Sequence, residues 1–558
     1  MPLSHLRSFL PVVALRFGRH LCSDSWLCMR SPPAPAKLAR RKDTRHRAGL
    51  ARIRSFLLGV LACGGLAACA VGPDYRPPDT PMPASFVALS APNLKSANGR
   101  RPVDPSHWWH ALHDRELESL IERAVTASPT VEIALNRVQE TRAQEAVVVG
   151  AALPAFEGSE GGALGTGSDL ARGRAAPALV SAENGTGFTQ VTNLVGFDAG
   201  WELDFFGKLR RANEAAHYDV HAAIAARNIV LVSLIADVTR AYLEMRALQM
   251  QLVVVRKSIE VTQRYLDFVQ ERFNRGITNE LDVTLAQREL GQLQSQVAPL
   301  IARIDAARYV IAVLVGDFPE TLAKELRRPG ALPALPARIQ PGLPIELLRR
   351  RPDVAEAERQ LASATAQIGV ATAQLFPQVV VTGAFGAQQG RGATTAAINP
   401  IWSVGPAVAW PLLDFGRLDA AVERADFRSR ELLFNYKQTV LDAVREVDTA
   451  VSAYAAQQER LRYLDDALVA ARRAVTLADQ RFERGLTDSL NVIDAQRQAY
   501  DLEQQYVIAQ ATAAAHFVTL YRALGGGWEP YQFLPPIPPP MPAIFAAFRR
   551  LLAPDAAP

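Results

Sequence analysis

Two histidines stand at a spacing that could hold a metal ion, because His217 and His221 lie four residues apart in a segment with helical periodicity. Side chains at i and i+4 share one face of a helix, and two imidazoles on one face can form half of a zinc site. The sequence offers no third ligand, and a solvated or packed histidine pair has the same spacing. We therefore expect no metal site and no cofactor.

The motifs of common catalytic and nucleotide-binding sites are missing from the sequence. It contains no G-x-x-x-x-G-K-[ST], H-E-x-x-H or G-x-S-x-G pattern. The glycine-rich stretch 158–167 has no phosphate-loop pattern and no helix following it, so it is not typical of an anion-binding loop. These observations predict that the protein is not an enzyme.

Cys69 is the cysteine whose preceding sequence indicates a chemical modification. Seven basic side chains in residues 40–54 precede the apolar run Phe56–Ala68. Such an order is typical of a secretory signal peptide, and thirteen residues are too few to span a bilayer. The tetrapeptide Leu66–Cys69 resembles the bacterial lipobox, so we expect cleavage before Cys69, lipidation of its thiol and an outer-membrane destination. A weaker competing match ends at Cys63.

The net charge of the chain, +5, is positive because of the leader. Residues 1–69 contain 12 Lys/Arg and two Asp/Glu, which leaves 49 basic and 54 acidic side chains in residues 70–558. The mature part is therefore slightly acidic, and a nucleic-acid partner loses its main support. We assign residues 1–68 to the leader and signal peptide. The proline-rich segment 69–115 is expected to be a lipid-anchored, extended arm.

The rest of the chain is a duplication. Trp201 returns as Trp410 and Gly276 as Gly485, both 209 residues later, whereas earlier matches such as Pro129 and Pro352 are 223 residues apart. The 14-residue difference lies in the Gly/Ser/Ala-rich loop of the first half. A long repeated unit predicts a fold built from two similar halves.

Each half changes from helical to alternating periodicity and back. Apolar and polar residues alternate over Val195–Phe205, which is the length and pattern of a transmembrane β-strand and also of a half-buried strand in a soluble sheet. A proline-free stretch follows each tryptophan and is interrupted by a glycine, which predicts a long helix, a turn and a returning helix. Such helices suit a coiled coil or a tunnel through the periplasm.

The resulting domain prediction has two repeats. The first repeat is 116–318, with a β-hairpin at about 152–206 and a long helical hairpin at 208–316. A crossover linker, 319–343, leads to the second repeat, 344–533, with a β-hairpin at about 377–415 and a helical hairpin at 417–524. The proline-rich tail 534–558 is expected to be disordered.

Taken together, these motifs resemble the outer-membrane factor family of the TolC/OprM type, and within it the NodT-like efflux lipoproteins. The resemblance covers about residues 69–533 and includes Cys69-Ala-Val-Gly-Pro, Trp108-Trp109, two W-x-L-x-x-F-G-[KR]-L junctions, two R-x-x-R-G-x-T turns and Leu524-Gly-Gly-Gly-Trp528. It implies an α+β membrane protein in which three copies share a 12-stranded outer-membrane β-barrel and a periplasmic α-helical barrel. Closing the barrel also protects the strand edges.

The resemblance also implies roles for the residues around the two turns. Those expected to contact a periplasmic adaptor are Arg275, Gly276, Thr278, Arg484, Gly485 and Thr487. The family's acidic pore constriction matches at Asp494, whereas Asn491 stands where a second acid would be. Asp282 matches the acid of the first turn, but Thr487 and Phe482 replace its usual Arg and Tyr partners, so that lock is not expected in this form.

The predicted function is a passive, trimeric exit duct for drugs or other small molecules, driven by an inner-membrane RND-type pump through a periplasmic adaptor. A ring of three Asp494 side chains would favour cations in the pore. One alternative is the outer-membrane channel of type I protein secretion. Another is a periplasmic coiled-coil adaptor or scaffold, which would leave the alternating strands unexplained.

Overall fold

The computed structural model of the chain describes residues 70–87, 103–166, 189–336, 344–391 and 396–532. The predicted leader 1–68, the lipidation site Cys69 and the tail 534–558 lie outside the described residues. The helices and strands in chain order are α1 (Arg115–Ala127), α2 (Pro129–Ala151), β1 (Ala155–Thr166), β2 (Thr189–Leu203), α3 (Lys208–Asn274), α4 (Glu280–Ser295), α5 (Val297–Val315), α6 (Pro319–Glu325), α7 (Pro344–Arg350), α8 (Pro352–Ala373), β3 (Gln378–Arg391), β4 (Ala396–Ala409), α9 (Arg417–Glu483) and α10 (Ser489–Ala523).

The two longest helices, α3 and α9, each have 67 residues. At 1.5 Å per residue each is about 100 Å long. In each half the long helix packs against the returning limb, α4 and α5 after α3 and α10 after α9. One stretch of α3 is apolar enough to cross a membrane, but 61% of it is buried inside the protein, as in the core helix of a soluble domain.

The four strands form one antiparallel sheet in the order β1-β2-β3-β4. Its centre joins the two halves, because β2 pairs with β3 and sets Phe197 opposite Phe385. Large apolar side chains on the described part of the sheet are exposed, among them Val195, Phe197, Phe385, Trp402 and Val404. The sheet therefore presents an apolar surface to its surroundings.

The main hydrophobic core lies midway along the helices. It combines α1 and a 3₁₀ helix (Pro105–Leu112) with the middle of α3, with α5 and with the end of α10. The indole of Trp108 is fully buried and stacks on Tyr521, with the ring centroids 5.6 Å apart. The Trp108-Trp109 segment therefore packs the arm onto the body.

The first residues of the arm run along the helices. The Val71 amide donates to the Phe206 carbonyl at 3.1 Å, and Tyr75 donates to Glu358 at 3.1 Å. Farther along, Phe86 is fully buried in the main core. The described residues of the arm thus contribute side chains to the core of the body.

The returning limb of the first half differs from the predicted continuous helix. It is divided at Gln296 into α4 and α5, whereas α10 is continuous over 35 residues. Pro299 explains the break, because it has no N–H for the Ser295 carbonyl and its ring crowds that oxygen. The helical hairpin at 208–316 therefore consists of three helices.

The predicted crossover linker, 319–343, needs a correction at its start, because Pro319–Glu325 is the helix α6. Proline suits the first position of a helix. Leu322 and Leu326 are fully buried in the main core, and this packing stabilises a helix too short to persist alone.

The second β-hairpin is shorter than predicted. It was expected at about 377–415, but β4 ends at Ala409. Pro411 cannot donate to a sheet ladder. Asp414 instead accepts a hydrogen bond from the Leu418 amide at 2.8 Å and so helps to start α9. The first hairpin ends in the same way, since Asp204 accepts from the Leu209 and Arg210 amides.

Candidate functional site

Both long helices end in the same glycine turn. After α3, the Gly276 amide donates to the Phe273 carbonyl at 2.8 Å and the Ile277 amide to the Arg272 carbonyl at 2.9 Å. The φ angle of Gly276 is 71°, and that of its equivalent Gly485 is 70°, a region that side-chain-bearing residues avoid. These hydrogen bonds satisfy the last carbonyls of the helix and reverse the chain.

The two turns expose matching apolar side chains. Ile277 is 58% exposed and its equivalent Leu486 is 63% exposed. One helical turn farther on, Leu281 and Leu490 are exposed to a similar extent. Ile277 and Leu486 lie within the two repeated R-x-x-R-G-x-T turns. Together with exposed Arg275 and Arg484, they form a surface that we call the tip surface.

Asp282 and Asn491 occupy equivalent positions and stabilise the turns. Thr278 donates through its hydroxyl to Asp282, and the Asp282 amide donates to the side chain of Asn279 at 3.1 Å. In the second half the side-chain amide of Asn491 donates to the Thr487 hydroxyl at 2.7 Å. The turn threonine is therefore tied to the following helix in both halves.

Asp494 lies one turn beyond Asn491 and is exposed. Its carboxylate accepts a hydrogen bond from Gln498 on the same helix at 2.7 Å. Asn491 instead bonds back to Thr487 in the turn, so these hydrogen bonds do not link the two candidate constriction residues to each other. The Asp494 carboxylate is thus presented at the surface of a single chain.

An aromatic cluster holds the two turns together. The guanidinium of Arg272 lies 5.2 Å from the ring centre of Phe482 and 5.8 Å from that of Phe268. Cation–π contacts of this kind stabilise by about 0.5–1 kcal/mol at exposed sites. Phe482 therefore has an aromatic packing role at the turns.

A small apolar cluster between the two helical hairpins lies directly behind the turns. Its buried members are Tyr265, Val269, Val283, Ala286, Val492 and Ile493. It draws on α3, α4 and α10 and joins the two halves. The tips are therefore packed against each other by few side chains, a low density that allows local opening.

Above this cluster is a cleft of about 220 Å³ between the hairpins. Glu289 lines it and is only 8% exposed, and its Oε2 atom has no hydrogen-bond partner among the described residues. Lys257 and Arg497 also line the cleft, and Arg472 pairs with Glu503 at 2.7 Å. The cleft therefore has a mixed apolar and charged lining, in which one oxygen of the buried Glu289 carboxylate lacks a hydrogen-bond partner among the described residues.

The histidine pair lies apart from the tips, near the sheet end of α3. His217 and His221 approach each other at 3.2 Å between their Nε2 atoms, and His217 Nδ1 lies 3.0 Å from Glu145. Partial burial, then His217 and Arg359, hold the pKa of His221 below its ordinary value. In the part of the chain that the structure describes, no group of three or more His, Cys, Asp or Glu has the arrangement of a metal site.

Known proteins share both the sequence and the fold of this chain. A family model described as outer membrane efflux protein matches residues 120–316 and 343–526, more than half of the chain. Nodulation protein T of Rhizobium leguminosarum bv. viciae is 29% identical over 469 residues, which cover 83% of this chain and 92% of the relative. The pyoverdine export outer membrane protein OpmQ of Pseudomonas putida is 31% identical over 463 residues, which cover 81% and 94%. The solved outer-membrane channel OprN superimposes with a TM-score of 0.72 at 34% identity, over 83% of this chain and 100% of OprN.

Proposed function

Because this chain belongs to the outer membrane efflux protein family, whose members are outer-membrane channels, we propose that three copies of it form the exit duct of a tripartite efflux system. The duct is passive and carries drugs or other small molecules from an inner-membrane RND-type pump to the outside. A periplasmic adaptor connects the two. The observation that carries this proposal is the open sheet with its exposed apolar face.

The sheet needs partners at both edges. Among the described residues of one chain, β1 pairs only with β2, and β4 pairs only with β3. Unpaired strand edges in a bilayer leave backbone groups without hydrogen bonds, so spanning sheets close into barrels. Pairing of β4 with β1 of the next copy keeps the antiparallel order, and three copies give 12 strands.

The helices support the same assembly. Since α2 is equivalent to α8 and α3 to α9, the contact between α3 and α8 within one chain is a template for α9 against α2 of the next chain. Leu441 of α9 is 65% exposed, whereas its equivalent Val232 of α3 is buried. Burial of Leu441 at a subunit contact would remove this difference.

The adaptor is expected to dock on the tip surface. Exposed Ile277 and Leu486 provide apolar contacts, and Arg275 and Arg484 beside them provide charge. Interfaces commonly combine an apolar centre with a polar rim. Adaptor contacts that favour a separated arrangement of the two hairpins would shift the population toward an open duct.

Asp494 is the proposed constriction residue. Three copies in a narrow pore would attract cations and repel anions, because the fields of like charges add. Asp282 and Asn491 are assigned to bracing the turns, on the basis of their bonds to Thr278 and Thr487. The cargo is set mainly by the pump, since relatives of this duct include a nodulation protein and a pyoverdine exporter.

The lipid anchor is proposed at Cys69. The next residue, Ala70, contacts Gly207 at the junction between β2 and α3. This junction is where the sheet meets the helices, so a thiol-linked acyl chain starting beside it would reach the outer membrane. The protein is localised in the outer membrane, with its helices extending into the periplasm.

Single-channel conductance in planar bilayers tests the proposal. The detergent-extracted protein should run as a trimer by native mass spectrometry and show discrete, cation-favouring steps. Asp494→Ala should reduce the cation preference, whereas Asp488→Ala, at the N-cap position of α10, serves as a charge-matched control. A folded oligomer that does not conduct even with its adaptor present would support the scaffold alternative and reject the duct.

A further inference from the structure

A groove between α2 and α3 is open to solvent in the single chain. It has a volume of about 530 Å³, and small side chains form much of its wall. Its lining includes Ala134, Arg137, Glu140 and Arg227. We call it the α2–α3 groove.

Arg227 provides a buried positive charge in this groove. The side chain is 93% buried, since only 7% of it is exposed, and its Nε atom has no hydrogen-bond partner among the described residues. One terminal nitrogen donates to the Asn228 side chain at 3.2 Å, and no described carboxylate lies within ion-pair distance. A buried guanidinium without an anion is unfavourable, so this position is built for an anion that the single chain does not supply.

The equivalent groove in the second half shows what kind of occupant fits. There, Tyr436 and Ala357 stand in the places of Arg227 and Ala134. The arm of the chain lies in this groove, where the Thr80 hydroxyl is 3.4 Å from the Tyr436 hydroxyl and Met82 packs against the local cluster. The arm is extended and contains Pro77, Pro78, Pro81 and Pro83.

We propose that the α2–α3 groove binds an extended, proline-containing segment of a partner protein, with an acidic side chain of that segment paired to Arg227. The duplication makes the two grooves alike in backbone, and the change from tyrosine to arginine converts a hydroxyl site into an anion site. Arg137 and Glu140 are both exposed and both line the groove, so they add one charge of each sign, and Arg227 is its buried positive charge. A carboxylate accepts two parallel hydrogen bonds from a guanidinium, which fixes its position.

Peptide binding to the full-length, detergent-solubilised oligomer tests this proposal. The probe is a fluorescent peptide of arm residues 75–83 carrying Thr80→Glu, and its matched control carries Thr80→Gln. We expect the Glu peptide to bind about tenfold more tightly, as one charge-assisted hydrogen-bonded pair provides. Arg227→Gln should abolish the preference, and Arg137→Gln should reduce it. Arg256→Gln, at an exposed position on α3, should leave it unchanged.

Three outcomes would overturn the proposal. The first is equal binding of the two peptides, or a preference that survives in Arg227→Gln. The second is binding that appears only after residues 534–558 are deleted, which would assign the groove to the chain's own tail. The third is loss of the oligomer in Arg227→Gln while Arg137→Gln keeps both the oligomer and the full preference, which would place a neighbouring subunit's carboxylate at Arg227.

Discussion

The indole nitrogen of Trp201 donates a hydrogen bond to the carbonyl oxygen of Ala152 at 3.1 Å. The same bond recurs in the second half, from Trp410 to Leu375 at 3.0 Å. Each tryptophan therefore ties the last strand of a hairpin to the end of the helix that precedes it. These bonds hold the sheet in place on the helices.

Replacing Trp201 by phenylalanine should show the contribution of this bond. Trp201→Phe keeps an aromatic ring but removes the donor, and we expect the free energy of unfolding to fall by about 1 kcal/mol. Trp410→Phe should have the same effect, and the double variant should be additive because the two bonds share no atoms. Denaturant unfolding in detergent measures all three. An unchanged midpoint in both single variants would show that water replaces the bond at no cost.

Two glycine-to-alanine substitutions, one in a turn and one inside a helix, should have opposite effects on stability. Gly276→Ala should destabilise the first turn by about 1–2 kcal/mol, because a Cβ atom is unfavourable at its positive φ. Gly291→Ala in the interior of α4 should instead stabilise by about 0.5–1 kcal/mol, since a Cβ atom there meets nothing within 4 Å. Hydrogen exchange of the tip amides and thermal unfolding report the two effects. Equal changes in the two variants would contradict this account.

Replacing Glu289 should change the free energy of unfolding differently from replacing a carboxylate in an ion pair. Glu289→Gln removes a buried charge that has no described partner, and we expect a gain in unfolding free energy of about 1 kcal/mol or more. The matched variant Glu503→Gln breaks the partly exposed ion pair with Arg472 and should lower stability by less than about 1 kcal/mol. A loss of stability in Glu289→Gln would show that the assembled duct supplies a partner for this carboxylate.

Stability should depend on pH through His221. Its pKa is held below its ordinary value, chiefly by burial, so the unfolded chain binds a proton at a pH where the folded protein does not. The unfolded state is therefore favoured as pH falls through about 6.5, and the effect levels off below the folded pKa. The melting temperature should fall from pH 7.5 to pH 5 in the wild type, and less in His221→Gln.

A variant with the opposite expected effect on stability at low pH controls for the titration of His221. Glu145 raises the pKa of His221, so Glu145→Gln should make the loss of stability at low pH larger. If His221→Gln and the wild type follow the same pH profile, the histidine pair does not contribute to it.

The tip surface should crosslink to the adaptor. A photoreactive benzoylphenylalanine at position 277 or 486 should give an adduct in host cells that mass spectrometry identifies as a periplasmic adaptor. Val253, an equally exposed apolar residue on the shaft of α3, provides the control position. Adaptor adducts of equal yield from position 253 would place the contact away from the turns.

The sequence by itself determined the duplicated plan, the two long helices and the positions of their turns. These features depend on local rules: helical spacing, a glycine at positive φ after each long helix, and alternation in the strands. The resemblance carried by the junction and turn motifs also led to the correct family. Such signals lie within a few residues of the structure that they specify.

Only the tertiary structure decided which side chains meet. The helix Pro319–Glu325 forms because Leu322 and Leu326 are buried in a core assembled from distant helices. Likewise, Oε2 of Glu289 and Nε of Arg227 have no hydrogen-bond partner among the residues that the structure describes. Their sequence context resembles that of paired charges elsewhere on the same helices. Whether a charge finds a partner depends on packing between segments far apart in the chain, and no local pattern encodes it.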